Sequence, residues 1–188
     1  MKTTSLKDLY LKELRDLYDA EQQLIKALPK MAEAATSEQL REGFEEHLEQ
    51  TRGHGTRLER IFEQLQEKPK GEKCKAMEGL VEEGSETIKS DMEGALKDAA
   101  LIAAAQRVEH YEIAGYGTVR TFATLLGEEE AASLLEETLN EEKATNEKLT
   151  DLSETINVEA EEGAATEGER VSSETRRAKA VPRNKSAA

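Results

Sequence analysis

The helical pattern of Leu101 to Leu126, LIAAAQRVEHYEIAGYGTVRTFATLL, places a glutamate where a hydrophobe belongs. Alternating steps of four and three residues pick out Leu101, Ala105, Val108, Glu112, Gly115, Val119, Phe122 and Leu126, the buried stripe of one helix face. Glu112 is therefore aimed at a core. An isolated carboxylate there is expensive to desolvate, so it must be neutralised, paired or bound to a metal. Any fold for this chain has to bring partners to that point from other elements.

The remaining segments repeat the anomaly. Ser5 with Asp8 three residues on reads as a capping box, and it opens a helix over about residues 5 to 35. Its stripe is Tyr10, Leu14, Leu17, Glu21, Leu24, Leu28, Met31 and Ala35, with Pro29 expected to kink it locally. Thr36 and Ser37 precede a second helix to about residue 66, whose stripe is Leu40, Phe44, His47, Thr51, His54, Leu58, Ile61 and Leu65. A turn with Pro69 and Gly71 leads to residues 74 to 89, a short amphipathic crossover. The long helix of Glu112 spans about residues 91 to 126, with Gly127 at the C-cap position. A last helix from about 128 to 156 carries Ala131, Leu135, Thr138, Glu142, Thr145, Leu149 and Leu152. Every seam is polar at its middle.

An offset of 91 residues superposes these seams: Glu21 falls on Glu112, Leu17 on Val108, Leu28 on Val119, Phe44 on Leu135 and Leu58 on Leu149. The chain is two copies of one helical hairpin. Two amphipathic hairpins joined by a crossover with its own helix close most simply as an all-α, ferritin-like four-helix bundle, here over residues 1 to 156. Beyond Asn157 the only aliphatic residues larger than alanine are scattered valines, and residues 157 to 188 are expected to be a disordered charged tail.

Composition narrows the partners. A net charge of −14 argues against nucleic acid or an anionic membrane as the main partner of the folded body. One cysteine, Cys74, excludes an internal disulfide and reads as a small hydrophobe of the crossover. The first residues lack a signal-peptide apolar core, and the longest wholly apolar run, Ala99 to Ala105, is far short of a membrane span. The expected location is the cytoplasm.

The inward polar set is Glu21, His47, His54, Glu112 and Glu142, with Glu109 flanking one turn before Glu112. Di-metal carboxylate bundles use one Glu from each of two helices and a Glu-x-x-His from each of the other two. Here each Glu-x-x-His is half filled, as Thr51-x-x-His54 and Glu142-x-x-Thr145. Carboxylates and imidazoles suit Fe or Mn, and two such ions would relieve the repulsion among the carboxylates. Singly, each glutamate has an ordinary alternative in a hydrogen bond to Arg107, Arg120, Tyr18 or Tyr116. Their coincidence at the middle of all the seams favours a metal.

The segments HLEQT at His47 to Thr51, CKAMEGLVEE at Cys74 to Glu83, DAALIAAAQRVEHYEIAGYGT at Asp98 to Thr118 and LLEETLNEEKATNEKLTDL at Leu134 to Leu152 resemble the bacterial YciE/YciF ferritin-like stress proteins. The resemblance covers about residues 5 to 156. It implies a ferritin-like bundle, a dinuclear metal centre, a homodimer and a stress-related role of ferroxidase type, acting on dioxygen or peroxide. Matching positions are Glu21, His47, Glu109, Glu112 and Glu142, whereas Gln50 stands where the family commonly has Glu. On this reading Glu21, Glu112 and Glu142 are the catalytic carboxylates, and metal is held by these with His47, His54 and Glu109. The competing expectation is a non-enzymatic stress protein that works by association, its polar core a network that fixes helix register.

Overall fold

A computed structural model describes residues 3–71 and 73–179, with side chains to residue 163. Among the described residues the chain is entirely helical, with α1 (Leu6–Ala34), α2 (Glu38–Gln64), α3 (Lys75–Lys89), α4 (Gly94–Leu126) and α5 (Glu129–Lys179). The bounds follow local chemistry. Ser5 and Asp8 form the reciprocal capping box that starts α1. Gly127 ends α4 at φ 77°, a left-handed conformation that costs glycine no side-chain clash. Pro29 lies inside α1 without ending it.

The hairpins α1–α2 and α4–α5 pack side by side, α1 against α4 and α2 against α5, while α3 lies across α1 and α4. This is the four-helix bundle with a crossover helix that the two-hairpin repeat requires. Its apolar core is split into two clusters. One holds Leu24, Leu28, Leu40, Phe44, Met77, Leu101 and Leu149, the other Tyr10, Leu14, Leu58, Ile61, Phe62, Val119 and Leu135. The polar residues at the middle of the seams occupy the level between them, so apolar packing closes the bundle on either side of a buried polar layer.

Two joints off the polar layer tie the helices together. The Asp98 carboxylate on α4, 2% exposed, accepts from the Thr36 N–H at 2.8 Å, the Thr36 hydroxyl at 2.5 Å and the Ser37 N–H at 2.8 Å, so α4 holds the start of α2. Cys74 does more than fill space. Its Sγ caps α3 and lies 3.1 Å from Asp16 Oδ2 and 3.0 Å from the Tyr111 hydroxyl, fastening the crossover to α1 and α4.

At the other end α5 continues to Lys179, where the sequence reading expects a disordered tail from residue 157. The segment is rich in Glu and Ala, which favour helix locally. Ile156 is the last buried side chain among those described. Residues 180–188 of the expected tail lie outside the described residues.

Candidate metal centre

Each helix seam delivers its polar middle to one place. Glu21 (α1), His54 (α2), Glu112 (α4) and Glu142 (α5) are 0% exposed, Glu109 is 2% and His47 3% exposed. His47 and His54 lie seven residues apart on one face of α2, with ring centroids 6.3 Å apart. That spacing divides the layer in two. Donor atoms of His47, Glu109, Glu112 and Glu142 all lie within 4.8 Å of one another, and so do those of Glu21, His54 and Glu142. Glu142 belongs to both sets.

The contacts inside the layer are close but unsatisfied. His47 Nε2 is 3.3 Å from Glu109 Oε1 and 3.8 Å from Glu142 Oε2, and His54 Nδ1 is 2.9 Å from Glu142 Oε1 and 3.4 Å from Glu21 Oε1. Yet both nitrogens, both oxygens of Glu112 and of Glu142, and one oxygen each of Glu21 and Glu109 lack an aligned hydrogen-bond partner. Buried polar atoms are ordinarily paired, so a convergent group of orphans indicates a missing partner. Of the competitors for these carboxylates, only Tyr116 takes one, its hydroxyl donating to Glu21 Oε1. Tyr18 donates instead to Glu59, Arg107 faces Glu83 and Arg120 faces Glu136, all outside the layer.

The charges are strained accordingly. Burial, then the charges of Glu21, Glu142 and Glu109, hold the Glu112 carboxyl well above the carboxylate range, and burial with Glu142 does the same to Glu109. Burial also raises Glu21, against the pull of His54. Burial would raise Glu142 too, but contact with His54 and the charge of His47 bring it down. Burial disfavours the His54 cation, and the adjoining Glu142 and Glu21 outweigh it and push the imidazole up to about 10. Without metal, the layer must take up protons to balance its acids.

The donor set fits a dinuclear metal group. Four carboxylates and two imidazoles would neutralise two divalent ions, and oxygen with imidazole nitrogen is the donor chemistry of Fe and Mn.

All six sequence candidates are in the layer. Other polar side chains surround it. Glu141, on α5 beside Glu142, lies 2.9 Å from His54 Nε2 and takes both arms of Arg57 at 2.6 and 2.9 Å. Gln50 Oε1 is 3.4 Å and Thr145 Oγ1 3.3 Å from His47 Nδ1. Thr51, which opens the half-filled Thr-x-x-His, returns its hydroxyl to the His47 carbonyl at 2.8 Å and supplies no acid.

A family model described as "Domain of unknown function (DUF892)" matches residues 5–162. The chain belongs to this family. Among its relatives, Protein YciF of Escherichia coli (strain K12) is 49% identical over 166 residues, 87% of this chain and all of that one. The crystal structure of the E. coli stress protein YciF superposes with a TM-score of 0.80 at 50% identity, covering 82% of this chain and 98% of that one. YcfI of Rhodopseudomonas palustris, described as a putative structural protein, follows at TM-score 0.76 and 47% identity, covering 78% and 94%. A Xanthomonas campestris protein at 22% identity and TM-score 0.69, covering 86% and 99%, shares the fold. The DUF892 chain is thus a ferritin-like helical member of the YciF stress-protein family, with a buried His/Glu cluster that could hold metal ions. Among the described residues no helix is long and apolar enough to cross a membrane.

Proposed function

We propose that this protein is a cytoplasmic dinuclear Fe or Mn oxidoreductase of ferroxidase type, which reduces dioxygen or peroxide under stress. The observation that carries this reading is the group of orphaned, fully buried donor atoms divided into two sets that share Glu142. His47, Glu109 and Glu112 complete one set, Glu21 and His54 the other, and Glu142 bridges them. Bound Fe or Mn would supply the electrons and the Lewis acidity for the reduction.

The chain's own residues supply the surroundings. The apolar clusters on either side of the layer exclude bulk water, which strengthens every electrostatic interaction within it. The Tyr116 hydroxyl donates a hydrogen bond to Glu21 Oε1 and fixes that carboxylate with Oε2 free for a ligand. Glu21, Glu112 and Glu142 are the carboxylates that would contact the reacting atoms. The protein acts as a homodimer in this reading.

The test is elemental analysis of protein purified without chelator, followed by anaerobic Fe(II) loading and exposure to air. The expected result is two metal ions per chain and a ferric absorbance. Protein that stays colourless and takes up neither Fe nor Mn refutes the reading. In that case the polar layer acts as a register-fixing network in a non-enzymatic protein that works by association. The Tyr116 to Glu21 and His54 to Glu142 contacts favour this second reading.

A further inference from the structure

The two histidines are held from behind by different chemistry. His54 turns Nδ1 to Glu142 and Glu21 and Nε2 to Glu141 at 2.9 Å. Glu141 is itself clamped: both oxygens receive the Arg57 guanidinium, whose other bonds reach Glu137 at 2.6 Å and the Thr138 hydroxyl at 3.2 Å. A bidentate Arg–carboxylate pair holds its acid in a fixed plane. His47 turns Nε2 to Glu109 and Glu142, but its Nδ1 meets the amide oxygen of Gln50 at 3.4 Å and the Thr145 hydroxyl at 3.3 Å. One imidazole is backed by a carboxylate and the other by neutral oxygens at longer range.

We propose that Glu141 and Gln50 are positioning residues that make the two halves of the layer unequal. Glu141 fixes the His54 imidazole through a charged acceptor and makes it the stronger donor, while Gln50 fixes His47 more weakly. This rests on the dinuclear reading above and adds to it which histidine each residue controls. A carboxylate accepting the far N–H of a metal-binding histidine fixes the tautomer, sets the ring orientation and raises the basicity of the donating nitrogen. An amide carbonyl does the first two with less effect on the third. The opposed numbers of donors make the halves distinguishable: His47 shares its set with three carboxylates, His54 with two. Glu141 is 30% exposed, so the carboxylate that sets the fully buried His54 links the layer to the α2–α5 surface.

Stepwise titration of the full chain with Co(II) tests this, read by calorimetry and by the contact-shifted imidazole N–H resonances. The wild type is expected to take up two Co(II) with two different affinities and to show two slowly exchanging N–H signals, His54 Nε2–H and His47 Nδ1–H. Glu141→Gln, which keeps the shape and removes the charge, is expected to weaken one step about 10- to 100-fold and shift only the His54 signal. Gln50→Leu, which leaves every ion pair intact, is expected to weaken the other step and shift only the His47 signal. A purely structural role for either residue would lower the melting temperature without dividing the two steps. The proposal is overturned if both variants act on the same step, or if neither changes the titration of a wild type that binds two Co(II). A wild type that binds no Co(II) overturns the dinuclear reading itself.

Discussion

Replacing Glu112 by leucine tests the polar layer most directly. The carboxylate is 0% exposed and neither oxygen has an aligned hydrogen-bond partner. An unsatisfied buried polar group costs about 1–3 kcal/mol, and replacing buried ionic groups by well-packed hydrophobes stabilises by about 1–4 kcal/mol. Leucine fills the stripe between Val108 and Gly115 at nearly the same volume. Metal-free Glu112→Leu is therefore expected to be more stable than wild type by about 2 kcal/mol at neutral pH, or about 4–8 °C in Tm for a chain of this size. The difference has a pH signature. Because the folded carboxyl titrates well above its usual value of 4.5, its contribution is fully present below that value and is lost as pH rises towards the folded pKa. The wild type should weaken over that interval and the variant should weaken less. Metal should reverse the order: at a concentration of 100 Kd it stabilises the wild type by about 2.7 kcal/mol and leaves the variant unchanged. The assay is thermal melting of both proteins from pH 5 to 8, with and without Mn(II). A variant that responds to Mn(II) as the wild type does, or that is less stable without metal by more than about 1 kcal/mol, refutes the reasoning.

Three other outcomes follow from the same structure. Metal uptake should release protons and weaken as pH falls, because His54 is pushed up to about 10 by Glu142 and Glu21 and because Glu109 and Glu112 are raised. Calorimetry in buffers of different ionisation enthalpy measures this, and a buffer-independent heat would contradict it. Asp98→Ala should destabilise by about 2–3 kcal/mol through loss of the joint to Thr36 and Ser37, with metal stoichiometry unchanged; denaturant unfolding and elemental analysis check the two halves. Truncation after Ile156, the last buried side chain among those described, should move Tm by less than about 2 °C, and a larger loss would mean that the tail docks on the bundle.

Helical periodicity carried the bundle and most of the centre. A side chain's direction around its own helix depends only on its position in the 3.6-residue repeat, so Glu21, His47, His54, Glu112 and Glu142 could be placed on inward faces from spacing alone. The 91-residue repeat then required two hairpins and brought the faces together. Propensity and capping chemistry, also local, located the starts of α1 and α2 and the end of α4. Local information was insufficient where residues meet across helices. The sharing of Glu142 between two donor sets, the Glu141 carboxylate behind His54 and Gln50 behind His47 depend on how far one helix is shifted along its neighbour, and no single-helix pattern contains that shift. Cys74 read as a small hydrophobe until packing set it against Asp16 and Tyr111, and no local pattern marked Asp98 as the residue that holds the start of α2. The sequence by itself determined which side chains had to be buried; only the tertiary structure decided their partners, because burial is a property of one helix face and coordination a property of several held in register.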